Sequence, residues 1–207
     1  MTNRCKPLPA RLAILISGSG TTLQNLAEHI AAGKLAASIA CVISSRPDVY
    51  GLVRAANLHL PGTVVNRRDF SDTLTFSAAV FNSVRKCQAN WVILAGFLSL
   101  LHIPPEFENR VLNIHPALLP KYGGRGMHGR HVHQAVIDAG ETISGCTVHY
   151  ADNQYDHGPI ILQRTCPVLP GDTAELLAAR VFAQECIAYP QAIARCVDAS
   201  LPAPKPA

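Results

Sequence analysis

Four short apolar runs, each followed by a break and most by a helical pattern, constrain this chain more than any other feature. "RLAILIS" comes first, then glycines, then "TTLQNLAEHIAAGK" with apolar residues at helical spacing. "SIACVISS" precedes the short helix "GLVRAANLHL", and "TVVNR" precedes the helix "TLTFSAAVFNSVRKC". "NWVILAGF" is apolar throughout. A strand without a polar face must be covered on both sides, and alternating helices supply the cover. The pattern predicts an α/β fold of Rossmann-like type, with a mostly parallel central sheet and helices on both faces.

After Gly96 the rhythm changes. "VLNIH", "GCTVHY" and "PIILQRTCPV" read as strands, with the helix "GRHVHQAVIDAG" between the first two. The last two are joined by "ADNQYDHG", a hairpin-type connection, which predicts an antiparallel strand pair at the C-terminal side of the sheet. A final helix is expected from about Thr173 to Val197, with Asp172 and Glu175 as its N-terminal cap and a kink at Pro190. One domain is expected over residues 11–198, with an N-terminal extension at 1–10 and a disordered tail at 199–207.

Composition narrows the classes. The chain has 207 residues, 48% apolar and 15% charged, which is globular rather than disordered. A formal net charge of +4, spread without runs, is too weak to argue for nucleic acid but suits a phosphorylated substrate. No run approaches the roughly 18 apolar residues of a membrane span, and Pro7 and Pro9 interrupt anything resembling a signal core. Seven scattered cysteines with no CxxC pair read as free thiols of a cytoplasmic protein.

Two stretches carry chemistry. In "SGSGTTLQ", Gly18 and Gly20 permit tight turns between a buried strand and a helix start, where unpaired N–H groups and the helix dipole favour an anion. The loop is neither a Walker A sequence nor G-x-G-x-x-G. An ordinary helix start, capped by a Thr21–Gln24 box, explains the same residues. In "LNIHPALLPKYGG", Asn113 and His115 are two apart at the end of a strand and project from one face. Asp156 sits in "YDHGP", where an Asx-turn is an equally good explanation. Together the three suit acyl transfer to an amine. An amide N–H binds the oxyanion, a histidine moves protons, and a carboxylate raises the histidine's pKa.

These residues resemble those of a known family. "LISGSGTTLQNL", "VILAGFLSLL", "LNIHPALLPKYGG", "YDHGPIILQ" and "AQECIAYP", in that order, look like the phosphoribosylglycinamide formyltransferases of purine biosynthesis, and the likeness runs from about Arg11 to Asp198. The resemblance implies 10-formyltetrahydrofolate as one-carbon donor, phosphoribosylglycinamide as acceptor and no metal. It implies that Gly20, Thr21 and Thr22 hold the substrate phosphate, and that Asn113, His115 and Asp156 are catalytic. Leu98, Ser99, Leu100 and Leu101 would contact the folate, with Asn113 and with Asp152, Asn153, Gln154, Tyr155 and Asp156 as the opposite wall. Glu185 would bind the nucleotide. A homodimer is compatible with the family, and the sequence itself does not fix the oligomeric state.

Glu185 has support of its own. Its helical neighbours Val181, Phe182, Ala188 and Tyr189 include no basic residue, so the carboxylate needs a partner from elsewhere, either substrate hydroxyls or a distant arginine. Family members often carry an arginine at the position of Ser99 and another near Thr73, where they help hold the folate tail, and Arg67 or Arg68 is a candidate substitute. The segment "GGRGMHGRHVHQ" is longer than the short family form and holds His128, His131 and His133, a weak candidate for metal ligation against a solvated helix start. Related folate-dependent enzymes acting on tRNA or sugar nucleotides, deformylases, and a non-catalytic nucleotide-binding domain are the rival readings. The first usually adds a C-terminal domain and the deformylases an N-terminal one.

Overall fold

The computed structural model describes residues 10–199. The expected extension and tail fall almost wholly outside these residues, as does Cys5. The elements run β1 (Ala10–Ile16), α1 (Thr21–Ala31), β2 (Ala37–Ser44), α2 (Tyr50–Asn57), β3 (Gly62–Val64), α3 (Thr73–Lys86), β4 (Trp91–Leu94), β5 (Val111–His115), α4 (Arg130–Asp138), β6 (Ile143–Tyr150), β7 (Ile160–Pro167) and α5 (Ala174–Ala199). They form one seven-stranded sheet in the order β3-β2-β1-β4-β5-β6-β7. The first five strands in that order are parallel, and β5-β6 and β6-β7 are antiparallel.

Alternation along β1 shows why the runs are apolar throughout. Leu12, Ile14 and Ile16 face one core, with Leu23 and Leu26 of α1 and Tyr189 and Ile193 of α5. Ala13 and Leu15 face the other, with Phe76, Val80 and Phe81 of α3. Each face is sealed, so neither face of the strand tolerates a polar residue.

The order reverses between β1 and β4. In sheets of this kind the carboxyl ends of the two strands at the reversal diverge and leave a crevice. Here the loops after β1 and β4 open there, and β5 brings Asn113 and His115 alongside. Tyr189 anchors the helix that closes one side. Its hydroxyl lies 3.0 Å from the Leu94 carbonyl and 2.9 Å from that of Leu112, and it donates its one proton between them. Glu185, one turn earlier on α5, is thereby aimed at the crevice.

Two expected caps are corrected. Gly20, not Thr21, precedes the first turn of α1, at φ +74°, and no side chain caps that end. Gln24 bonds Glu28 one turn on instead. A Cβ on Gly20 would lie 2.6 Å from the Gly51 Cα, so the loop is held tight against α2. At α5, Thr173 Oγ1 accepts the Leu176 N–H at 3.3 Å, while Asp172 is drawn away by a two-pronged pair with Arg180 at 2.6 and 3.0 Å. The helix runs unbroken past Pro190. The helix of the "GGRGMHGRHVHQ" region, α4, starts at Arg130, which leaves His128 ahead of it.

Candidate active site

A cavity of about 750 Å³ occupies the crevice. Its floor is the end of β5. Asn113 of β5 is paired directly opposite His149 of β6, and His115 opposite Thr147. Asp156 reaches the same point from the loop between β6 and β7, which is pressed so close that a Cβ on Gly158 would lie 1.9 Å from the Tyr150 carbonyl oxygen. Asp156 itself has φ +53°, a conformation an aspartate adopts when the surrounding contacts demand it.

Asp156 is the node. Its Oδ1 accepts from Asn113 Nδ2 at 3.2 Å and its Oδ2 from the Gly124 backbone N–H at 3.0 Å. His115 Nδ1 lies 3.4 Å from Oδ2, and His149 Nε2 lies 3.7 Å from Oδ1. A carboxylate only accepts, so the amide end of Asn113 that faces it is the NH₂. The second amide hydrogen points at His149 Nε2, 3.0 Å away, while His149 Nδ1 donates to the Tyr150 carbonyl at 2.8 Å. Both hydrogens of Asn113 are therefore engaged within the cluster.

His115 is buried, and its Nε2 donates to the Tyr122 carbonyl at 2.7 Å. That leaves Nδ1 as the one nitrogen free to gain and lose a proton. Burial outweighs the upward pull of Asp156, which itself has the expected direction. The histidine's pKa falls below the ordinary 6.5, and the opposing pull of Asp156 and of the Tyr122 carbonyl does not restore it. For Asp156, burial pushes upward, yet the neighbouring histidines and the Gly124 N–H hold the carboxyl below its ordinary value. The resting pair is a carboxylate beside an imidazole that ionises late.

Thr21, Thr22 and Ser19 line the cavity at the uncapped start of α1, with Gly20 setting the turn behind them. Leu98 to Leu101 form another wall, irregular backbone held by the Leu98 N–H on Ser17 Oγ at 3.0 Å. Asp152, Gln154, Tyr155 and Asp156 stand opposite. Asn153 does not face the cavity; its Oδ1 accepts the Ile103 N–H at 2.8 Å and ties the two walls together. Glu185 lines the far end with Ala178 and Phe182. Among the described residues no arginine pairs with it, and burial alone pushes its carboxyl up to about 7 from an ordinary 4.5. A second cleft, of about 320 Å³, shares Leu98, Ser99 and His128 with the cavity and carries Arg46, Arg67 and Arg68. Among the described residues, no carboxylate pairs with any of those three arginines.

His149 is the residue that sequence reasoning missed. The signal was alternation, since Thr147 and His149 are two apart on β6 and share the face that meets His115 and Asn113 of β5. The histidine-rich segment sorts as its spacing suggests, with His128 and His131 together and His133 pointing away from them. His128 and His131 meet edge to face at 6.2 Å, while His133 turns into the cavity wall. Among the described residues, no three His, Cys, Asp or Glu side chains are grouped to hold a metal ion. The described cysteines are free, and among the described residues no helix is long and apolar enough to cross a membrane.

The family model for formyl transferases matches residues 10–193, and the chain belongs to that family. Phosphoribosylglycinamide formyltransferases are among the proteins the chain resembles. The phosphoribosylglycinamide formyltransferase of Haemophilus influenzae is 38% identical over 185 residues, 88% of this chain and 85% of that one. The trifunctional purine biosynthetic protein adenosine-3 of Drosophila pseudoobscura is 40% identical over 195 residues, 92% of this chain but 14% of that much longer protein. The crystal structure of glycinamide ribonucleotide transformylase 1 from Symbiobacterium toebii superposes with a TM-score of 0.88 at 36% identity, covering 97% of this chain and 93% of that one. Phosphoribosylglycinamide formyltransferase from Brucella melitensis gives 0.82 at 37% identity, over 92% and 96%.

Proposed function

We propose that this chain transfers the formyl group of 10-formyltetrahydrofolate to the glycinamide amine of 5′-phosphoribosylglycinamide, giving the N-formyl product and tetrahydrofolate. The observation that carries the reading is the meeting of Asn113, His115 and Asp156 at one point in a cavity whose far end offers an unpartnered carboxyl at Glu185. In this reading the phosphate docks at Gly20, Thr21 and Thr22, against N–H groups left uncapped. The ribose hydroxyls meet Glu185. The pterin lies between Leu98–Leu101 and the Asp152–Asp156 loop, and the folate's terminal carboxylates run toward Arg67 and Arg68, in place of arginines at Ser99 and near Thr73.

The amine, neutral in a usable fraction near pH 7, attacks the formyl carbon. A nitrogen–carbon bond forms and the carbon–nitrogen bond to the folate breaks. As the formyl oxygen gains charge it competes for an Asn113 hydrogen, and the 3.2 Å bond to Asp156 is the longer and easier one to redirect. The attacking nitrogen releases a proton. Neutral His115 takes it at Nδ1, where Asp156 stabilises the imidazolium, and passes it directly or through water to the departing folate nitrogen. Polarisation and proton transfer are both supplied by side chains.

The test is release of tetrahydrofolate by purified protein. Release that requires phosphoribosylglycinamide and yields the formylated nucleotide is expected. Release independent of the nucleotide supports a deformylase instead, and tight nucleotide binding without turnover supports a regulatory domain.

Glu185→Gln provides a separate check. The nucleotide KM is expected to rise by about tenfold, the value of a hydrogen bond to a charged or half-charged group, while the folate KM stays put. The same change alters stability against pH. A carboxyl at about 7 in the folded protein and 4.5 unfolded makes the folded state bind more protons between those values, so the free protein loses stability as pH rises from about 4.5 to 7. Thermal unfolding of the variant should lack that decline.

A further inference from the structure

His133 is a buried side chain, 5% exposed, in the wall of the cavity, and the chemistry above does not use it. It projects from α4, between buried Val132 and Val136, toward the side of α5 that presents Ala178, Phe182 and Glu185. Its Nδ1 is sealed from solvent with no hydrogen-bond partner. A sealed N–H costs more than a sealed lone pair, so the ring proton belongs on Nε2. The ring is close enough to His115 to feel its charge, and both are pulled toward the neutral form by burial. The cavity wall thus holds an uncharged donor between the proton-transfer centre and Glu185.

An uncharged N–H in an enclosed wall suits an uncharged acceptor. A phosphate oxygen would demand a cation or several N–H groups, and the uncapped helix start lies elsewhere on the rim. The oxygen of the nucleotide substrate nearest its reacting amine is the glycinamide carbonyl.

We infer that His133 is a specificity-determining residue whose Nε2–H donates to the glycinamide carbonyl oxygen and holds the attacking amine against the formyl carbon. The assignment rests on the reading given under Proposed function. It also gives the α4 histidine a reason to be turned inward while His128 and His131 stay at the surface.

His133→Leu should raise the nucleotide KM about tenfold, the value of one uncharged hydrogen bond, with the folate KM within about twofold of the parent. His133→Gln, whose amide N–H reaches about as far as Nε2, should recover most of the loss, and His133→Asn less of it. The unmodified protein supplies a second readout that needs no variant to fold. The His133 ring ¹⁵N resonances, followed while phosphoribosylglycinamide is added alone, should shift at Nε2. An unmoved resonance on saturation with nucleotide, or folded Leu and Gln variants with the parent's KM, overturns the assignment while leaving formyl transfer intact. A wild-type protein that neither binds nor formylates the nucleotide overturns both.

Discussion

Asn113→Ala is expected to lower kcat by about 10²–10³-fold while shifting either KM by far less, because the amide's main contact is with an oxygen that is fully charged only in the transition state. Steady-state kinetics with both substrates varied decide it, and comparable losses in kcat and in binding would remove the oxyanion role. The substitution has a second consequence. It strips a donor from His149 Nε2 and from Asp156 Oδ1 in a buried cluster, so unfolding should come about 1–3 kcal/mol more easily. Asn113 is placed by two strands at once, through its register opposite His149, so its position is fixed before any substrate arrives.

Asp156→Asn is expected to cost about 10²–10⁴-fold in kcat. The isosteric amide keeps the shape and loses the charge. His115 already sits below its ordinary pKa because burial outweighs the pull of Asp156. Removing that pull lowers the value further, so the imidazolium that carries the proton is formed less readily at every pH. The new NH₂ also faces a donor whichever oxygen it replaces, the Asn113 amide at Oδ1 or the Gly124 N–H at Oδ2, where the carboxylate accepted from both. NMR titration of the His115 ring reads the effect directly, and an unchanged midpoint would remove Asp156 from the proton-transfer step.

The scaffold was readable because it is written in runs. β1 from Leu12 on, β2 from Cys41 to Ile43, and β4 are apolar on both faces, and nothing but a covered strand accommodates that. β3 was readable from its β-branched residues, although it proves to be a three-residue exposed edge. The caps were misread for a local reason. Thr21 and Gln24 have the right spacing, but Gly20 takes a left-handed turn forced by the close approach of Gly51, 31 residues further along the chain. Asp172 likewise had the right chemistry for a cap, and Arg180 claimed it.

The site was legible only in parts. Alternation put Asn113 and His115 on one face, but no periodicity says that Asp156, 41 residues beyond His115, folds back onto them. That came from the likeness to a family. For His115, burial outweighs the upward pull of Asp156; the sequence showed that pull with its right sign, but burial is set by the whole surround and a motif displays only the partner. His149 escaped because a histidine in an apolar strand reads as packing until its cross-strand neighbour is known. Glu185 was found for the opposite reason, since the absence of a basic neighbour is visible in the helix itself.

Asn113, His115 and Asp156 act as one unit at one carbonyl. The double variant Asn113→Ala, Asp156→Asn tests this most directly, measured for kcat beside the two single variants. Residues that share one transition state are strongly non-additive, so the double variant should be little worse than the poorer single one. Losses that multiply would mean the two side chains serve separate steps, and the shared site described above would be wrong.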